Sequence, residues 1–271
     1  MLELLNNKYQ FSQQLLSRTR KETSEQFAVT SCAEHPELFD ASVALENETW
    51  DELSFLDFTS AHHAHYDDLL ERFPEYHLCM IDLRTDELVA TGMCVPLYSP
   101  ESAELPPEGW DWVVKTAMAQ KGQRANTIGA LSISVPEPHR HRGLARDMIN
   151  TMRALAAMKT FTRVIAPVRP SAKCRHPFVP MEQYVGWIDE RGRIYDPWLR
   201  SHVAVGGTVV SVCDRSMVVE QPLEFWQPWT RSLLEQSGDV AFNGALVPLD
   251  VDMAARVGRY VEPNVWVTHR V

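Results

Sequence analysis

Two hydrophobic periods alternate along the chain, and the points where one gives way to the other mark its elements. Residues 26–32 form an apolar run of strand character. Beyond Pro36, which suits the first turn of a helix, Leu38, Phe39, Val43, Leu45 and Trp50 supply an apolar face at helical spacing. Residues 76–81 and 88–97 read as two strands of a hairpin, joined by a polar turn at 84–87. A proline-rich acidic stretch at 99–109 is too polar for core, and Trp110, Trp112, Val113, Val114, Ala117 and Met118 after it predict a short helix. Residues 128–135 have strand character again, until Pro136 and Pro138 remove two backbone donors and stop the pairing. From Gly143 the period changes: Leu144, Met148, Met152 and Leu155 recur at helical spacing, with Ala145, Ile149 and Ala156 beside them. That predicts a helix of about four turns. A short strand at 163–168, a helix opened by Pro180 with Met181, Tyr184, Val185 and Trp187, and strands at 207–212 and 216–220 follow.

The strand–turn–helix junction at 135–149 carries the clearest chemistry. A helix's first turn leaves backbone N–H groups unsatisfied, and their partial positive charge attracts anions. Arg140, Arg142 and Arg146 crowd this turn. Cations there oppose the helix dipole at a cost of a few tenths of a kcal/mol or more each, so a compensating anion is expected. Gly143 and Ala145 are small enough to let a phosphate approach the main chain. On spacing alone, a solvated basic turn is the alternative.

Composition narrows the function. The 271 residues, 45% hydrophobic and 23% charged, suffice for one large domain, and no apolar run is long enough to span a membrane. The N-terminus lacks the pattern of a signal peptide, so a cytoplasmic protein is expected. Five scattered cysteines, never in a Cys-x-x-Cys pair, suggest neither a disulfide framework nor a thiolate metal site. His62, His63, His65, Asp67 and Asp68 do not have the spacing of a zinc helix and read as a solvated helix face, so no metal is expected. The net charge of −10 disfavours a broad nucleic-acid surface and makes the basic turn conspicuous.

The element order together with Arg140-His141-Arg142-Gly143-Leu144-Ala145 resembles the GNAT superfamily of acyl-CoA-dependent N-acyltransferases, whose turn reads [Gln/Arg]-x-x-Gly-x-[Gly/Ala]. Blocks around Arg169, at 195–202 and at 261–266 are similar to a bacterial GNAT-like subgroup of unassigned substrate. The resemblance implies an α+β fold with a mixed, splayed central sheet flanked by helices. It covers residues 26–220, with a helical N-terminal extension over 1–25 that packs weakly or on a partner chain, and a C-terminal addition over 221–271. It further implies acetyl-CoA or another acyl-CoA as cosubstrate. The amides of His141, Arg142, Gly143, Leu144, Ala145 and Arg146, beside Arg140, would cradle the pyrophosphate, and Ile133, Ser134 and Val135 would pair with the pantetheine arm.

For catalysis, the resemblance places a general acid on the helix after the fifth strand, where Tyr184 stands, although an aromatic there also suits core. The fourth strand carries Ser132 and Ser134 where a carboxylate base is expected, which leaves Glu137, Asp196 and His202 as substitutes. Asp196 also suits a loop cap, and His202 also suits a packed interior. Arg169, Lys173, Arg175 and Arg200 form a second basic set, for the 3′-phosphate of CoA, an acceptor carboxylate, a carrier-protein surface or ordinary salt bridges. The expected reaction is acyl transfer to a small-molecule amine, possible in a natural-product pathway. Rival readings are a carrier-protein donor, an aminoacyl-tRNA donor that the acidity disfavours, and a non-catalytic CoA-binding module. The extensions leave room for a homodimer.

Overall fold

The computed structural model describes residues 12–231 and 233–271. Among them are nine strands: β1 (Phe27–Ser31), β2 (His77–Asp82), β3 (Glu87–Leu97), β4 (Thr127–Ser134), β5 (Arg163–Val168), β6 (Thr208–Pro222), β7 (Gly238–Val240), β8 (Leu249–Asp252) and β9 (Val257–Arg270). The helices are α1 (Ser12–Leu15), α2 (Lys21–Gln26), α3 (Phe39–Trp50), α4 (Ser60–Arg72), α5 (Gly109–Ala119), α6 (Leu144–Met158), α7 (Met181–Val185), α8 (Pro197–Ala204) and α9 (Leu223–Thr230). One mixed sheet runs β1-β2-β3-β4-β5-β9-β8-β7, with β6 also paired to β9. Every pairing is antiparallel except β4 with β5.

That parallel pair creates the feature on which the site depends. Its register covers only Thr127–Gly129 against Arg163–Ile165. Beyond it, β4 stays paired with β3 as far as Ser134, and β5 stays paired with β9 as far as Val168. The two strands therefore part. A bulge contributes, because Leu131 has no partner on β3 where the register shifts between Met93 and Cys94. Such an extra residue bends its strand and increases local twist. Trp110 of α5 donates from Nε1 to the Leu131 carbonyl at 3.1 Å, which satisfies a group that the opened ladder leaves behind.

The two strands expected at 207–212 and 216–220 are one long strand, β6, whose register on β9 shifts between Cys213 and Met217. The interruption has a structural use: the Ser216 hydroxyl donates to Asn264 Oδ1 and accepts from the Trp110 amide, tying α5 to β9. The segment after 220, expected as an addition, supplies β9, which lies inside the sheet between β5 and β8. Of the N-terminal extension, Leu4, Leu5 and Phe11 lie outside the described residues. Leu15 and Leu16 are buried in the main core, so this part packs on its own domain.

Trp266 of β9 is fully buried against Trp112, and its indole donates to the Pro106 carbonyl at 2.8 Å. Trp266→Ala is expected to cost about 3–5 kcal/mol, read as a lower denaturant midpoint at unchanged slope.

Candidate active site

A cavity of about 370 Å³ opens where β4 and β5 part. Residues 130–133 of β4 and 166–168 of β5 form two of its walls. The rest comes from α3, the 3₁₀ segment that follows it, α4, α5 and α8, with Arg169 just after β5, Met217 of β6 and Asn264 of β9. Its volume lies within the range of small-molecule sites.

The carboxylate missing from β4 arrives from α3. Ser42, Leu45 and Glu46 lie on the buried face of that helix, and Trp50, one turn on from Glu46, follows it toward the cavity. Glu46 Oε1 accepts from the Ser132 hydroxyl of β4 and from the Tyr66 hydroxyl of α4, the latter at 2.9 Å. Burial, and then the Glu46 charge, raises the Tyr66 phenol well above its usual range, so it remains a donor. Trp50 donates from Nε1 to Ser134 Oγ at 2.8 Å, fixing the end of β4 to the same helix.

Asp57 and His62 lie beside this group. His62 Nε2 is 3.3 Å from Asp57 Oδ1, and the imidazole stacks on Tyr66 with ring centres 4.3 Å apart. Burial lowers the His62 pKa to about 4, so the ring is neutral at pH 7. Partial burial, and then the Glu46 charge, raises Asp57 to about 6. With Asp51, the cavity wall holds three carboxylates among the aromatic faces of Trp50, Tyr66 and Trp110.

The expected catalytic set separates. Tyr184 is buried on α7 and outside the cavity lining, and its hydroxyl donates to Asp196 Oδ2 at 2.9 Å. Burial, and then the Asp196 charge, holds the phenol protonated well above its usual range. Asp196 caps α8, accepting from the Trp198 and Leu199 amides at 2.9 and 3.0 Å, and also from Ala172 N at 2.8 Å. Tyr184 and Asp196 thus brace α8 and do not face the cavity. His202 does line it, but its Nδ1 meets His269 Nε2 at 3.0 Å, and burial lowers its pKa to about 3. A base works best with a pKa near the operating pH, and His202 is far below it. Glu137 is exposed on the 3₁₀ turn before the glycine motif.

The glycine turn is built for close approach. His141 and Gly143 both have positive φ, +63° and +84°, and Gly143 caps α6. The amides of residues 141–145 have no backbone partner among the described residues, which leaves a run of donors at the helix entrance. The arginines divide. Arg142 is half-buried, donating to Asp82 Oδ2 at 2.9 Å and lying over the Phe27 ring, whereas Arg140 and Arg146 are exposed. Burial works against the Asp82 charge, but hydrogen bonds from Arg84 and Arg142 outweigh it and hold the carboxyl at about 2. Of the pantetheine candidates, Ile133 lines the cavity, Ser134 is bonded to Trp50, and the Val135 carbonyl accepts from Arg140 Nε at 3.2 Å.

An unexpected arginine completes the turn. Arg20, from the N-terminal extension, donates from Nη2 to the Arg142 carbonyl and to Asp147 Oδ2, at 2.8 and 2.7 Å. A Cβ on Gly143 would come within 2.8 Å of that guanidinium. Of the second basic set, Arg169 lines the cavity, while Lys173 is buried and donates to the His176 and Leu246 carbonyls. Arg200 donates to the Ile194 and Tyr195 carbonyls, and Arg175 is exposed. Glu46, Tyr66 and Asp57 escape a reading of the sequence. The available signal was a carboxylate on the buried face of an amphipathic helix.

Comparison with known proteins agrees with this geometry. No family profile matches the chain. An arginine N-acetyltransferase of Aspergillus versicolor, avaD, is 37% identical over 225 residues, covering 73% of this chain and 77% of that protein. The loading GNATL domain of CurA from Lyngbya majuscula superposes with a TM-score of 0.57 at 13% identity, over 90% of this chain and 97% of that one. A GNAT-like decarboxylase, GphF, in complex with isobutyryl-CoA gives 0.53 at 14% identity, over 87% and 95%.

Tyr184→Phe is expected to lower stability by roughly 1.5–3 kcal/mol, the range for a hydrogen bond to a charged group. Turnover should change by less than about threefold; thermal melts and steady-state kinetics on one preparation check both.

Proposed function

The chain belongs to the GNAT superfamily of N-acyltransferases, and we propose that it transfers an acetyl group from acetyl-CoA to an amine of a cationic, arginine-type small molecule. The observation that carries the acceptor class is the cavity wall, where Glu46, Asp51 and Asp57 stand among aromatic rings beside a neutral His62. Carboxylates and aromatic faces both attract a flat cation. The activity of the arginine N-acetyltransferase relative points the same way.

The residues present fit the donor. The amides of 141–145, without a backbone partner among the described residues, stand at the entrance of α6, where a pyrophosphate would accept from them, with Arg140 and Arg146 exposed beside them. Apart from the Leu131 carbonyl, which Trp110 takes, the edge of β4 from 130 to 134 that β5 leaves uncovered offers backbone groups to an extended pantetheine arm. When bound, the thioester supplies an activated acyl carbon and a thiolate leaving group.

Acyl transfer needs a neutral nitrogen, so the chain must take a proton from a cationic acceptor. Glu46 is the base in this reading. Its Oε1 is held by Ser132 and Tyr66, which leaves Oε2 to receive the proton. Asp57 and Asp51 hold the positive charge of the acceptor, and Trp50 and Trp110 position it against β4. His202 is a neutral part of the wall.

Glu46→Gln keeps the shape and both hydroxyl neighbours but removes the proton acceptor. It is expected to lower kcat by about 10²–10⁴-fold with a small effect on acceptor KM, measured as thiol release from acetyl-CoA. A second expectation concerns pH. Asp57 in the free enzyme takes up its proton as the pH falls through about 6, and with it the charge that attracts the acceptor is lost. The kcat/KM for a cationic acceptor should therefore decline below pH about 6, and Asp57→Asn should remove that limb of the profile.

A further inference from the structure

We propose that Arg169 forms an oxygen-binding subsite in this cavity, which takes the carbonyl oxygen of the carboxyl or carboxamide group on the acceptor. The inference rests on the arginine-type acceptor proposed above and adds what the cavity grips at the other end of the molecule.

Arg169 follows β5 directly and lines the cavity on the β5 wall, whereas Glu46 is bonded to Ser132 on the β4 wall. The two walls part beyond Gly129 and Ile165, so the carboxylate group and this guanidinium stand on opposite sides of the opening. Its side chain is 15% exposed. Nε donates to Glu262 Oε1 at 2.9 Å and Nη2 to the Gly244 carbonyl at 2.5 Å. A guanidinium carries five N–H donors, so the partners found among the described residues leave three.

The guanidinium is held by a dedicated brace. Glu262 is fully buried, and it also accepts from the Tyr260 hydroxyl at 2.8 Å and from Asn264 Nδ2 at 3.2 Å. Burial disfavours the Arg169 charge, but the Glu262 carboxylate outweighs it, so the side chain stays protonated. A buried ion pair is weak evidence for stability, because apolar residues of similar volume often serve as well. One fixed at both ends, with donors left on a cavity wall, is suited to holding a ligand. Glu262 also neutralises the pair. The remaining N–H groups thus act as oriented donors for an oxygen and do not demand a full negative charge from it.

This charge balance gives a specific expectation for three acceptors that share the same cationic end: arginine, argininamide and agmatine, which has no carboxyl group. Initial rates of thiol release from acetyl-CoA give KM for each. Arginine and argininamide should both have KM values about 10- to 100-fold below that of agmatine, the effect of a hydrogen bond to a charged group. In the double variant Arg169→Met/Glu262→Gln, which leaves no unpaired buried charge, the ratio of arginine to agmatine KM should move to about one. Arg169→Lys should restore part of the preference. Equal KM values for the three acceptors in the wild-type protein overturn the subsite and leave the cationic-acceptor reading standing. Acylation of neutral aromatic amines with no turnover of any of the three overturns that reading and the subsite with it. Should the double variant fail to fold, as judged by circular dichroism, the wild-type comparison alone decides.

Discussion

β4 and β5 satisfy each other's backbone groups only from Thr127 to Gly129 and from Arg163 to Ile165. Beyond that point each strand is held by its outer neighbour, β3 on one side and β9 on the other, and the inner edges separate. A sheet interior would normally leave no unpaired polar edge. Here the unpaired edge is created inside the fold, with rigid strands behind both walls, and side chains from α3, α4, α5 and α8 close the space around it. The cavity is thus a product of hydrogen-bond register, and its shape does not depend on a long loop.

Charge is distributed by pairing, both at the turn before α6 and in the cavity wall. At the turn before α6, Arg142 is neutralised by Asp82, and Arg20 by Asp147, which leaves Arg140, Arg146 and the main-chain amides toward solvent. On the opposite wall Glu262 neutralises Arg169. The carboxylates of Glu46, Asp51 and Asp57 have no comparable cation bonded to them among the described residues, and His62 beside them is neutral. The turn before α6 therefore favours anions and the carboxylate side of the cavity favours cations, in a chain whose net charge alone would suggest neither arrangement.

Much of the fold could be read in advance because it rests on local signals. The hairpin of β2 and β3, the prolines that end β4 and the change of period at Gly143 each involve a few neighbouring residues. The family's turn was legible for the same reason, and the acyltransfer it implied agrees with the related arginine N-acetyltransferase. The cavity wall was not legible, because it depends on residues remote in sequence. Glu46 meets Ser132 across 86 positions, and Arg169 meets Glu262 across 93. Tyr184 shows the converse: its place after the fifth strand suited either an acid or a core residue, and only the fold shows its hydroxyl bonded to Asp196. The interior position of β9 was equally hidden, since its sequence resembles any other apolar strand.

That position has a kinetic consequence. The edge of β5 that faces away from β4 is covered by residues lying roughly one hundred positions further along the chain, since Arg163 pairs with Arg270. During synthesis β1 through β4 can pair with near neighbours, while β5 must wait with an apolar edge uncovered. Closing so long a loop is slow, and an unpaired apolar edge in the interval invites pairing with another chain. The strand that holds the cavity open in the finished protein is therefore also one whose pairing closes a long loop.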